Sequence, residues 1–72
     1  MTRQEHLEWC KKRALEYCDM DDPNQALASM ISDLRKHSET ANHAGVELGV
    51  AMMMAGHLNT SEKMRNFIQG FN

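Results

Sequence analysis

The sequence predicts an all-α fold of four short helices, arranged as two antiparallel helical hairpins in a single domain of 72 residues. Three observations support this prediction. Apolar residues recur at steps of three and four along most of the chain. Residues that cap helices stand where these apolar stripes begin and end. The strict alternation of apolar and polar residues that is typical of strands is absent.

The first predicted helix covers residues 3–19. Thr2 and Glu5 form a capping-box pattern, in which each side chain accepts the free backbone N–H of the other residue. The helix then carries one apolar stripe, formed by Leu7, Cys10, Ala14, Tyr17 and Cys18. The second predicted helix covers residues 23–37, with Asp22 as its cap and Pro23 in its first turn.

The third predicted helix, residues 41–55, differs from the others because it is apolar around its whole circumference. Between Ala44 and Ala55 only Glu47 is charged, and Gly56 is expected to end the helix. A helix of this kind is normally buried on more than one side. The fourth predicted helix, residues 60–69, has its own apolar stripe and is expected to end in a Schellman-type turn at Gly70 and Phe71.

The apolar third helix predicts an interface. Gly45 and Gly49 lie one helical turn apart, which lets another helix approach closely. That helix either belongs to the same chain, namely helix 1 or 4, or is helix 3 of a second copy. Because a small monomer cannot cover so much apolar surface on one helix, we expect a homodimer or a higher homo-oligomer. The predicted interface residues are Trp9, Gly45, Leu48, Gly49, Met52 and Met53.

Charge and composition exclude several classes of function. The net charge is −2 and the pI is about 6.0, with basic residues scattered among acidic ones, which argues against a nucleic-acid or anionic-membrane surface. No apolar run is long enough to span a membrane. Cys10 and Cys18 lie about 12 Å apart on one helix, too far for a disulfide, which favours a reducing cytoplasmic location.

The candidate chemical sites each have a simpler structural explanation. His6 and Cys10 have a spacing that lets both bind one metal ion, but an exposed His6 above a buried Cys10 is the favoured interpretation. His43 and Glu47 are the best acid–base pair, although such pairs are more often surface contacts. We therefore predict no enzyme activity, no metal and no cofactor.

The chain shows two resemblances to known protein families. When it is shifted by about 34 residues, Cys10 falls on Ala44 and Met30 on Met64, and this period of helix, turn and helix resembles tetratricopeptide repeats. The strings HLEWCKKRALEY, HAGVELG and AGHLNTSEKMRNFIQGFN resemble a family of short proteins encoded in tailed-phage genomes. The second resemblance implies expression in the cytoplasm of an infected bacterium and a protein that acts by binding.

These observations together predict a non-enzymatic protein-interaction module that binds itself and a host or phage protein. It would be an accessory factor, or an inhibitor of a host defence or host enzyme. One alternative is an oligomer that sequesters an anionic nucleotide signal. The other alternative is a small metal-dependent enzyme. The basic residues available for a nucleotide are Arg35, Lys36, Lys63 and Arg65.

Overall fold

A computed structural model of the chain describes residues 2–71. It contains four helices, and the described residues contain no strand, so the predicted all-α class is confirmed. The helices are α1 (Arg3–Asp19), α2 (Pro23–Leu34), α3 (Ala44–Met54) and α4 (Ser61–Gln69). Among these residues, no helix is long and apolar enough to cross a membrane.

The predicted caps account for most of the helix boundaries. Thr2 and Glu5 exchange both capping-box hydrogen bonds, at 3.0 and 3.1 Å. Asp22 accepts a backbone hydrogen bond at the start of α2, and Thr60 does the same at the start of α4. Gly56, after α3, has a φ of 80°, the left-handed conformation that glycine adopts without steric cost. Local sequence therefore determines these boundaries.

The end of α2 differs from the prediction, because the helix stops at Leu34 and residues 35–43 form a series of turns. The carbonyl of Asp33 accepts a hydrogen bond from His6 Nε2 at 2.8 Å, and that of Leu34 accepts one from the Thr40 hydroxyl at 2.6 Å. In a longer helix these carbonyls would accept from backbone N–H groups one turn further on. Two side chains therefore complete the hydrogen bonding at the end of α2.

The start of α3 and the turn after α4 also differ from the prediction. α3 begins at Ala44 rather than at residue 41, since His43 caps it by accepting the backbone N–H of Gly45 on Nδ1 at 2.9 Å. Gly70 has a φ of −80°, so the predicted Schellman-type turn is wrong. Its expected hydrophobic partner, Phe71, is nevertheless buried.

α1 is the central helix of the bundle. It packs against both α2 and α4, and α2 also contacts α4. α3 lies antiparallel to α4, with Gly45 against Phe71 and Gly49 against Phe67. The core contains the buried apolar residues Leu7, Cys10, Ala14, Cys18, Ala26, Leu27, Met30, Leu34, Val46, Leu58, Met64, Ile68 and Phe71.

Candidate interaction surfaces

The side of α3 that faces away from the bundle is apolar and exposed. Leu48 is 55% exposed, Val50 is 42% exposed and Met54 is 84% exposed. Within α3 only Val46 and Gly49 are buried. We refer to the exposed residues of this side as the α3 outer face. It contains one charged residue, Glu47, and six apolar residues, namely Ala44, Leu48, Val50, Ala51, Met54 and Ala55.

An apolar groove of about 520 Å³ adjoins the α3 outer face and runs along the junction of α3 and α4. Ala44 and Leu48 belong to both the groove and the outer face. Phe67 and Phe71 line the α4 side, with their rings in an edge-to-face arrangement and their centroids 5.1 Å apart. The groove and the outer face therefore form one continuous apolar surface.

Gly49 is buried and faces the interior, whereas Gly45 lines the groove beside Phe71. A Cβ placed on Gly45 would lie 2.6 Å from Phe71 Cε2, and one on Gly49 would lie 3.0 Å from Phe67 Cε2 and 3.1 Å from Leu27 Cδ1. Of the two explanations left open by the sequence, close approach within the chain is the one found for these glycines, against α4 and also α2.

The other predicted interface residues divide between exposed and partly buried positions. Met52 and Met53 pack against the core and are partly buried, whereas Leu48 is exposed. Val50 and Met54, the remaining large exposed side chains of α3, were not among the predicted interface residues. The spacing of Gly45 and Gly49 could have indicated that Val50 and Met54 are exposed. Residues on the opposite side of a helix from a close helix contact must face away from that contact.

Trp9, the sixth predicted interface residue, belongs to a different surface. Its ring contacts two cations: the guanidinium Cζ of Arg13 lies 4.8 Å from the ring centroid, and the Lys36 Nζ lies 5.4 Å from it. The His6 ring stacks on it at a centroid distance of 5.7 Å. None of these partners belongs to α3, so Trp9 is not part of the α3 outer face.

The two cations beside Trp9 are held by Asp33, whose side chain is buried. Asp33 Oδ2 accepts from Arg13 Nε at 2.7 Å and Oδ1 accepts from Lys36 Nζ at 3.0 Å. Burial raises the pKa of this carboxyl, but the hydrogen bonds and charges of Lys36 and Arg13 outweigh burial, so its pKa lies below the ordinary value. We call Trp9, Arg13, Asp33 and Lys36 the Trp9 cluster; neither Arg13 nor Asp33 was predicted from the sequence.

The four basic residues predicted for an anionic ligand lie in two places. Arg35 and Lys36 follow α2, while Lys63 and Arg65 lie on α4. Lys36 is bonded to Asp33, and Arg65 Nη2 is bonded to the carboxylate of Asp19 at 2.8 Å. Two of the four are therefore already paired with carboxylates of the same chain.

His6 and Cys10 do come together, with His6 Nε2 3.5 Å from Cys10 Sγ. His6 is only 5% exposed, so the expectation of an exposed ring is wrong. Since a carbonyl oxygen only accepts, Nε2 must donate its proton to the Asp33 carbonyl, and a metal ion on Nε2 would displace that bond. Within residues 2–71 no group of three or more histidine, cysteine or acidic side chains is arranged to hold a metal ion.

The cysteine thiols are poorly suited to chemistry. Burial, together with the negative charge of Asp33, raises the pKa of Cys10 to about 11, and burial also raises the pKa of Cys18. Both thiols are therefore protonated at neutral pH, whereas nucleophilic attack requires the thiolate. His43, the candidate acid–base residue, uses Nδ1 to cap α3 and packs its ring 5.0 Å from that of Phe71.

A comparison of the chain with protein-family models, curated proteins and solved structures found no match. Function is therefore inferred from the two surfaces described above.

Proposed function

We propose that the protein is a non-enzymatic protein-interaction module that self-associates through the α3 outer face and the adjoining groove. The observation that carries this proposal is the exposure of Leu48, Val50 and Met54 on one helix. Contiguous apolar surface on a small protein is typical of an interaction site. Apolar side chains from two helices line the groove, which makes the surface concave enough to receive a helix.

The size of the protein favours a second copy as one occupant. A stable interface buries about 800 Å² on each partner. The whole surface of the described chain is 4427 Å², so such an interface would cover about a fifth of it. Burial on that scale would supplement the small core of a chain of this length, as oligomerisation commonly does.

The resemblance to short tailed-phage proteins supports a biological setting in the cytoplasm of an infected bacterium. There the module would act as an accessory factor, or as an inhibitor of a host defence or host enzyme, by occupying a host or phage protein. The nucleotide-sequestering alternative has less support, because Lys36 and Arg65 are bonded to Asp33 and Asp19. For the metal-dependent alternative, a metal ion bound through His6 Nε2, the ring nitrogen beside Cys10, would displace the hydrogen bond to Asp33.

Light scattering on the purified protein at micromolar concentration tests self-association. We expect the wild type to have at least twice the mass of one chain. Met54→Glu should reduce the mass to that of a monomer, because it places a charge on the α3 outer face. Met20→Glu is the matched control: Met20 is also a well-exposed methionine, but it lies in the turn after α1, so the oligomer should persist. A monomeric wild type would contradict self-association.

Affinity purification from infected cells tests the binding function separately. The wild type and a Trp9→Ala/Met54→Glu double variant, which alters both surfaces, would be compared. A defined host or phage protein recovered only with the wild type supports the proposal, and its equal recovery with the double variant counts against it. A thermal midpoint raised by nucleotides would instead favour the sequestering alternative.

A further inference from the structure

Glu47 is the one charged residue of the α3 outer face, so self-association through this face brings a carboxylate against the second copy. A carboxylate that loses its water without gaining a cation costs free energy. Within residues 2–71, Glu47 takes part in no ion pair, so its own chain does not supply that cation. An interface that includes Glu47 therefore needs a positive charge from the partner.

Arg35 is a cation at the same end of α3. Arg35 and Glu47 both line a hollow of about 230 Å³, between the segment that follows α2 and the N-terminal end of α3. Arg35 is exposed, and within residues 2–71 it also takes part in no ion pair. Its neighbour Lys36 is instead bonded to Asp33. The hollow thus presents one positive and one negative charge, and neither is paired within the described chain.

We propose that two copies of the chain associate about a twofold axis beside this hollow, so that Arg35 of each copy pairs with Glu47 of the other. The proposal rests on self-association through the α3 outer face and adds the arrangement of the two copies. In a twofold interface, a contact from one residue to a second residue of the partner is always repeated in the opposite direction. Two opposite charges beside the axis therefore form two identical ion pairs.

The same arrangement brings apolar surface together. Ala44, Leu48 and Ala51 share the outer face with Glu47 and lie within about one helical turn of it. The two alanines are small enough to let a second helix approach closely, while Leu48, at 55% exposure, supplies contact area. The ion pairs would then border an apolar contact that excludes water, which strengthens them relative to isolated surface pairs.

The charges also limit how the two copies can meet. An apolar face alone permits several alignments of two helices, whereas ion pairs at fixed positions favour one alignment and disfavour those that bring like charges together. Reciprocal pairing uses both charges of each copy, so the assembly closes at two chains instead of growing into an open array. The expected species is therefore a dimer.

Charge reversal in each direction tests the pairing. In the Arg35→Glu homodimer, both ion pairs become contacts between two carboxylates, and in the Glu47→Arg homodimer they become contacts between two guanidinium groups. The Kd of each homodimer should rise by about tenfold or more, because like charges then meet at both contacts. Analytical ultracentrifugation measures the Kd, and circular dichroism checks that each variant keeps the helices of the wild type.

Mixing the two variants should restore association. One chain then presents two carboxylates and the other presents two guanidinium groups, so the mixed dimer regains two attractive pairs. Native mass spectrometry distinguishes the mixed dimer from either homodimer, because the two chains differ in mass. The mixed dimer should predominate. The double variant Arg35→Glu/Glu47→Arg, in which the two charges are exchanged, should associate with itself with a Kd within about fivefold of the wild-type value.

Glu8 and Lys12 provide the matched control, since they are exposed residues of opposite charge one turn apart on α1. Lys12→Glu and Glu8→Arg change the net charge by the same amounts as the two test variants, but on a helix that is not part of the α3 outer face. Each should associate like the wild type. Their mixture should contain the mixed dimer and both homodimers in statistical proportions.

Two results would overturn the proposed pairing while leaving self-association in place. One is a wild-type oligomer whose Kd is unchanged by Arg35→Glu and by Glu47→Arg, as expected if these residues pair within one chain or stay in solvent. The other is a mixture of the two variants that shows no preference for the mixed dimer. A monomeric wild type would overturn both this pairing and self-association through α3.

Discussion

Asp33 is an acidic residue whose side chain is buried in α2. It lies in the apolar half of an amphipathic helix and is 1% exposed, yet it is ionised and satisfied by Arg13, Lys36 and Ser29. Its backbone carbonyl accepts the bond from buried His6. Within residues 2–71, no buried side-chain nitrogen or oxygen lacks a hydrogen-bond partner. The pairing of α1 and α2 therefore depends on a polar network as well as on apolar contact.

Replacing Asp33 with asparagine should lower the free energy of unfolding by about 2 kcal/mol, because a buried acceptor of two charged donors loses its charge. Urea denaturation measures the change. Asp19→Asn is the matched control: its pair with Arg65 joins a 67% exposed carboxylate to an exposed guanidinium, so the loss should be about 0.5 kcal/mol or less. Equal losses for the two variants would contradict the role assigned to Asp33.

The depressed pKa of Asp33 also predicts how stability depends on pH. A carboxyl whose folded pKa lies below its unfolded value contributes stability that is complete above the unfolded value and is lost as the pH falls through the folded pKa. The ordinary value is 3.8, so the contribution should persist at neutral pH and disappear in more acidic solution. The difference in urea midpoint between wild type and Asp33→Asn should therefore shrink as the pH is lowered below 3.8, and a constant difference would contradict this explanation.

At the scale of the helices, the predictions that succeeded depended on local sequence. Capping and apolar spacing predicted all four helices, because both signals act between residues a few positions apart. The predicted C-terminal end of α2 was wrong because that end is set by His6, which is distant in the sequence, and by Thr40 beyond the helix. The predicted exposure of His6 was wrong for the same reason, since its bond to Asp33 exists only after α1 and α2 pack.

The candidate surfaces were predicted less completely than the helices. The sequence indicated that α3 carries more apolar surface than one small domain can cover. It did not indicate which side of α3 packs against the other helices. That direction depends on Phe67 and Phe71, which fill the space beside Gly49 and Gly45. The positions of Arg13 and Lys36 over Trp9 likewise require the packed arrangement of α1 and α2.

Because Gly49 packs against Phe67 and Leu27, a larger side chain at this position should destabilise the fold. Gly49→Leu should reduce the free energy of unfolding by about 1–3 kcal/mol, because the new side chain would collide with Phe67 and Leu27. Ala51→Leu adds a larger apolar residue to the exposed side of the same helix and should leave the stability of the monomer nearly unchanged. Chemical denaturation of both variants in the Met54→Glu background isolates folding from association, and equal stability of the two would contradict the assigned direction of α3.

At the scale of the whole molecule, the bundle has two candidate binding surfaces on different elements. The described chain has a radius of gyration of 11.1 Å, and its core comes mainly from α1, α2 and α4. α3 contributes few buried residues, so most of its apolar surface is left for contact with another chain. The Trp9 cluster, on α1 and at the C-terminal end of α2, would remain accessible in an oligomer formed through the α3 outer face.

Self-association through α3 predicts that thermal stability depends on protein concentration. Because assembly favours the folded state by mass action, the thermal midpoint of the wild type should rise with each tenfold increase in concentration. Met54→Glu should show a midpoint that does not change with concentration, and Met20→Glu should behave like the wild type. Differential scanning calorimetry over a range of concentrations makes the measurement; a wild-type midpoint that stays constant would contradict a folded oligomer.

The exposure of Met54 also makes the α3 outer face sensitive to oxidants. Its thioether is far more accessible than those of Met30 and Met64, which are 1% and 0% exposed, and oxidation converts an apolar thioether into a polar sulfoxide. In dilute protein, where the α3 outer face is not covered by a second copy, mild peroxide should therefore modify Met54 and Met20 before the buried methionines, as mass spectrometry of proteolytic fragments would detect. The sulfoxide on Met54 should keep the dissociated chains from reassociating while the fold persists. Methionine sulfoxide reductase should restore association, so that association through α3 would respond reversibly to oxidative stress.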